Sequence, residues 1–106
     1  MSDCRSGELY ALRVLGDDMA PEFRHGEIIV VEPDGQARDG SFVLAELASG
    51  ASLRQLCRSG DGWALRTLAP PPGAAALQPL PDLQCVRGVV IQKAVPGRRR
   101  LTKRYV

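Results

Sequence analysis

The stretch VLGDDMAPEFRHGEIIVVEP, residues 14 to 33, sets two adjacent carboxylates, Asp17 and Asp18, between a glycine and a methionine just ahead of an apolar run. Acids avoid the end of a buried strand unless something there satisfies or uses them. Two carboxylates can share acid and base work, but that chemistry needs them facing each other, and chain neighbours diverge. A serine triad with His25 as its base has Ser41 and Ser52 to draw on, and neither sits in a nucleophile elbow. His25, in RHGE, reads as a loop residue and Ser52 as a surface hydroxyl. The simplest structural role for Asp18 is to cap a short helical turn through residues 19 to 23. Cys4, Cys57 and Cys85 form no C-x-x-C pair, and with a single histidine they cannot complete a zinc site. No metal and no cofactor is expected. Cys57 and Cys85 lie in apolar runs and read as small buried hydrophobes, and reduced thiols fit a cytoplasmic protein.

Short strands must position these groups. Candidates are 9–15, 27–32 ending at Pro33-Asp34-Gly35, 41–47 after Arg38-Asp39-Gly40, 51–58, 63–68 after Ser59-Gly60-Asp61-Gly62, and 83–95. Strand 51–58 turns Leu53 and Cys57 to one face and Arg54, Leu56 and Arg58 to the other. Gly88 marks a bulge in the last strand. The proline-rich stretch 69–82 reads as a loop, because proline lacks the N–H that a sheet ladder needs. The fold class is therefore mainly β, several short strands with at most one or two short helical turns. A chain of 106 residues, 44% hydrophobic, is enough for one modest core.

The net charge of +2 hides an asymmetry. Residues 83–106 hold seven basic residues and no acid, whereas residues 1–82 hold seven basic residues and all twelve acids. We read residues 1–95 as the folded domain and 96–106 as a basic C-terminal extension. A basic stretch with Tyr105 raises the question of nucleic acid, but it offers no recognition helix and no row of aromatics, so weak binding or none is expected. No run is long and apolar enough for a membrane helix, and no basic-then-apolar leader is seen at the start, so no membrane partner is expected.

The ordered blocks G-D-D-M-A-P (Gly16 to Pro21), then GEIIVVE, then RDGSFVLAELASGASLRQL, then VRGVVIQ resemble the LexA and UmuD superfamily of serine–lysine peptidases, which includes phage repressors and signal peptidases. The resemblance covers roughly residues 9 to 95 and implies the coiled β domain of that superfamily. It makes Gly16, Asp17, Met19 and Pro21 motif residues. It also implies that position 18 seats a serine nucleophile and position 54 the lysine base. Here those positions hold Asp18 and Arg54. Lysine serves as a base only when burial keeps it neutral, whereas arginine stays protonated and accepts no proton. Two opposite charges in place of the dyad imply a direct Asp18–Arg54 salt bridge. Self-cleaving members carry an Ala-Gly or Cys-Gly bond about thirty residues before the nucleophile, and neither dipeptide is found in the seventeen residues ahead of Asp18.

The expected function is thus a catalytically inactive binding or regulatory module. The resemblance implies a homodimer and leaves a groove near Met19, Val43 and Ala45 for an extended protein or peptide segment. Two other readings compete: a diverged peptidase of an SOS-like stress response that cuts itself or a partner, and a nucleic-acid accessory protein acting through its basic end.

Overall fold

The structure, a computed structural model, describes residues 8–105. Eight antiparallel strands form one sheet: β1 (Tyr10–Arg13), β2 (Ile28–Glu32), β3 (Phe42–Leu47), β4 (Gly50–Ser59), β5 (Gly62–Arg66), β6 (Leu77–Leu80), β7 (Val86–Val95) and β8 (Arg98–Arg104). The order is β1-β2-β7-β3-β4-β5-β6, with β8 also on β7. No helix occurs among the described residues. The mainly β class is as the sequence indicates, and the turn signals fall between the strands that they separate.

The sheet carries apolar residues on both faces, so its strands read as continuous apolar runs. Side chains alternate along a strand, and β7 shows the result. Val90 joins Val14, Met19, Phe23, Ile29 and Val31 in one cluster, with Phe42, Leu53, Leu68 and Tyr105 packed against it. Val89 joins Val43, Ala45, Leu56 and Leu65 in the other. Strand β4 divides as its pattern indicates, Leu53 going to the first cluster and Leu56 to the second.

Strand β7 pairs with β2 along most of its length and changes its second partner from β3 to β8. Two bulges accommodate the change. Pairing with β3 steps from Leu44↔Gly88 to Ala45↔Val86 and so passes over Arg87, the neighbour of Gly88. Pairing with β2 steps from Val30↔Gln92 to Val31↔Val90 and passes over Ile91. Gly88 has a steric reason as well. A Cβ there would lie 2.5 Å from Val31 Cγ1 and 3.2 Å from the Glu32 carbonyl oxygen. Val31 is fully buried and has nowhere to retreat. Gly88→Ala is therefore expected to cost about 1–3 kcal/mol by overpacking, read as a lowered urea midpoint with unchanged slope.

Three expectations need correction. Residues 77–80 are a strand in spite of Pro79, which lies opposite Ala64. Strand β6 ends the sheet and has one neighbour, so a missing N–H directed outward costs no ladder bond. Cys57 and Cys85 are only half-buried free thiols. Cys57 sits near the end of the β4–β5 hairpin, where its face opens to solvent, and donates a long contact of 3.5 Å to the Ala64 carbonyl. Cys4 lies outside the described residues. The turn at residues 18–23 is not a capped helix: Ala20 N–H bonds the Asp17 carbonyl and Phe23 N–H the Met19 carbonyl, and no backbone N–H among the described residues bonds the Asp18 carboxylate.

The basic end continues the sheet. Pro96 and Gly97 (φ +77°) make the two-residue turn between paired Val95 and Arg98, with proline and left-handed glycine in the order that a type II turn requires. Tyr105 N–H then bonds the Ile91 carbonyl.

Candidate functional site: a cleft beneath the motif turn

The motif turn grows out of β1. Val14 N–H bonds the Glu27 carbonyl, and Gly26 N–H returns a bond to the Val14 carbonyl, both at 2.8 Å, closing the loop between them. Within it, Gly16 (φ +83°) donates its N–H to His25 Nδ1 at 2.8 Å, and His25 donates its own N–H to Asp17 Oδ1 at 3.1 Å. Asp17 and His25 thus clamp the two ends of the turn. Met19 and Phe23 point into the first apolar cluster, 3% and 0% exposed. Asp18 and Pro21 remain outside, exposed. The Asp18 carbonyl accepts the Ala69 N–H at 2.7 Å, tying the segment after β5 to the turn.

A cleft of about 300 Å³ opens beside this turn. Its walls are the end of β1 and the start of the turn, the inner side of β2 and β3 at Ile29 and Leu44, and residues 49 and 51–54 of the β3–β4 hairpin. A second hollow, of about 400 Å³, lies under the proline-rich segment 70–79. Asp18 and Arg54 line both, and so form the wall between them. The expected Asp18–Arg54 salt bridge is not formed. Arg54 is half-buried and turns Nη1 to the Leu53 carbonyl at 2.7 Å, and no ion pair joins it to a carboxylate among the described residues. An exposed carboxylate keeps its hydration, and a surface pair would return at most about 1 kcal/mol for fixing two side chains.

The three residues expected to share a groove are separated. Met19 lines the cleft at its buried edge. Val43 and Ala45 are fully buried in the cluster on the opposite face, because odd-numbered residues of β3 point away from the cleft. Leu44 takes the place anticipated for them.

Sequence reasoning missed a charged network that fixes the far side of the turn. Lys93 on β7 reaches Glu27 Oε1 at 3.5 Å, with side chains 13% and 10% exposed, and donates to the Glu22 main-chain carbonyl. Glu27 Oε1 also takes the Arg24 N–H at 2.9 Å. From β8, Lys103 Nζ lies 2.8 Å from Glu22 Oε2, and the Tyr105 hydroxyl donates to the same oxygen at 2.5 Å. The signal in the sequence was a charge inside each apolar run, Glu27 before IIVV and Lys93 after VVIQ. Ile29 pairs with Lys93, which puts residue 27 on the diagonal of the same face.

Partial burial raises the Glu22 carboxyl, but hydrogen bonds from Lys103 and Tyr105, with the charges of Lys103 and Lys93, outweigh it and hold the group below its ordinary value. Burial pushes the Tyr105 hydroxyl up, and its hydrogen bond to Glu22 and the charges of Glu22 and Glu27 push the same way. A depressed folded-state carboxyl contributes stability that is present above its unfolded value and lost as pH falls through the folded one. The melting-temperature gap between the parent and Glu22→Gln is therefore expected to be widest near about pH 7 and to close toward about pH 2. A constant gap would mean that the Glu22 charge contributes nothing.

A mainly β sheet with its motif turn clamped beside a cleft is the architecture that the sequence blocks imply, and the chain belongs to the Peptidase S24-like family, whose pattern matches residues 2–80. It is 32% identical over 76 residues to a LexA repressor of Syntrophobacter fumaroxidans, covering 71% of this chain and 34% of that protein. It is 36% identical over 63 residues to an uncharacterized HTH-type transcriptional regulator of Coxiella burnetii, covering 58% of this chain and 29% of that one. The chain spans about a third of the length of these curated relatives. Among the described residues, no helix is long and apolar enough to cross a membrane.

Proposed function

We propose that this S24-like chain is catalytically silent and works as a binding or regulatory module that pairs as a homodimer and takes an extended protein segment into its cleft. The observation that carries the reading is the pair of side chains between the two hollows. By resemblance, Asp18 occupies the nucleophile's position and Arg54 the base's. A guanidinium donates hydrogen bonds and accepts no proton, so nothing at position 54 activates a nucleophile. A carboxylate at position 18 would form a mixed anhydride in place of an ester and leave it without a proton relay.

The test is intact mass after long incubation across about pH 6 to 10, the range that would free a lysine base. The expected outcome is an unchanged chain and intact generic peptides. A discrete fragment that survives removal of contaminating proteases would overturn the reading in favour of a diverged peptidase. Pairing is tested separately by sedimentation equilibrium, with twice the chain mass expected.

Nucleic acid has at most a minor part in this proposal. Tyr105, the aromatic that would stack on a base, packs at 5.5 Å from both the Phe23 and Phe42 rings, and Lys103 is engaged with Glu22.

A further inference from the structure

We propose that the cleft selects an acidic strand of a partner protein, with Arg54 as the residue that recognises its carboxylate; this rests on the peptide-binding reading above. Three observations lead to it. The residues that line the cleft include two arginines, Arg13 and Arg54, and one acid, Asp18, and are otherwise apolar, glycine or serine. Arg54 has donors to spare. Of the five N–H groups on its guanidinium, the bond to the Leu53 carbonyl uses one, and no carboxylate among the described residues pairs with it. That single bond also orients the group, so less rotational freedom is lost when a ligand arrives. Finally, Arg54 lies where the two hollows meet, so a chain running from one into the other passes over it.

The backbone of such a strand has somewhere to pair. Among the described residues, strand β1 ends the sheet with β2 as its one neighbour, and the residues that follow it line the cleft. An extended peptide turns alternate side chains to opposite sides. Those facing inward meet Leu12, Met19, Ile29, Leu44 and Leu53. A carboxylate among them meets a half-buried guanidinium, whereas the opposing charge of Asp18 is exposed and weakened by solvent. The balance favours an acid over a neutral or basic side chain.

The experiment titrates the isotope-labelled full chain with three capped valine- and threonine-rich peptides that differ only in a central Glu, Gln or Lys, followed by amide chemical shifts. The Glu peptide is expected to bind about tenfold tighter than the Gln peptide, with the Lys peptide weakest. Shifts should gather on residues 12–19 and 51–54. In Arg54→Gln, with the rest of the amide spectrum unchanged, the three affinities should converge. Arg54→Lys keeps a charge without the planar fork and should retain part of the preference. Equal binding of all three peptides to the parent would overturn the proposal and leave the peptide-binding reading intact. A Glu preference that persists in Arg54→Gln overturns it too, moving recognition elsewhere on the wall. Failure of every peptide to bind removes both.

Discussion

Phe23→Ala is expected to lower the unfolding free energy by about 3–5 kcal/mol, a large part of the 5–15 kcal/mol typical of a domain. The side chain is fully buried, at the point where the motif turn meets the sheet. Its ring meets Phe42 edge-on, centroids 4.9 Å apart and planes at 78°, and lies tilted against Tyr105 at 5.5 Å. The Lys93 ammonium stands 5.5 Å from the ring centre. Truncation removes the contact surface of all three neighbours at once, and those neighbours come from strands or ends that cannot collapse together: β3, β7 and the residue after β8. Phe23→Leu keeps most of the volume and should cost about 1.5 kcal/mol. Chemical denaturation of both variants decides the matter. A loss below about 1 kcal/mol for alanine would mean that the turn is not anchored through this ring.

The second large effect belongs to Lys93. Replacing it by methionine leaves the Glu27 carboxylate buried beside an apolar group, and breaking such a pair costs about 3 kcal/mol once residual exposure is allowed for. It also withdraws the donor from the Glu22 carbonyl. Glu27→Gln retains an acceptor for the Arg24 N–H while removing the charge. The double variant, Lys93→Met with Glu27→Gln, should therefore be more stable than Lys93→Met alone. A double-mutant cycle by urea unfolding measures this directly, and strictly additive losses would show that the two charges do not communicate.

Much of the sheet is legible in the sequence because turn chemistry marks its strands. Pro33-Asp34-Gly35 and Ser59-Gly60-Asp61-Gly62 end runs whose apolar residues need burial on one face or both. Strand β6 is less legible, since Pro79 is read as a breaker and only its place at the sheet's end makes it acceptable. Strand β8 is hidden by composition. Its arginines give the appearance of a solvated run, although alternate residues Lys103 and Tyr105 turn inward to Glu22. At the site, the sequence identifies Asp17, Asp18 and Arg54 but not how the charges are shared out. The acid that ties the turn together is Asp17, through His25. Such a tie depends on loop closure over eight residues, which period and propensity do not encode. The groove expectation fails for a simpler reason: β3 carries apolar residues on both of its faces, Val43 and Ala45 on one and Phe42 and Leu44 on the other, so an apolar residue there carries no label for which side it serves.

The clamp on the motif turn separates the shape of the turn from the side chain at residue 18. Gly16, Asp17 and His25 hold the turn by their own bonds, Met19 and Phe23 anchor it from below, and residue 18 contributes its carbonyl to Ala69 and no side-chain hydrogen bond among the described residues. A position fixed in space by its neighbours is free in its chemistry. Substitution at residue 18 changes what is presented at the mouth of the cleft and breaks no side-chain hydrogen bond among the described residues, so its side chain can be exchanged while the bonds that hold the turn stay in place. The same independence gives the protein engineer a fixed display point, where a thiol, a hydroxyl or a carboxylate can be exchanged and compared on one unchanging frame.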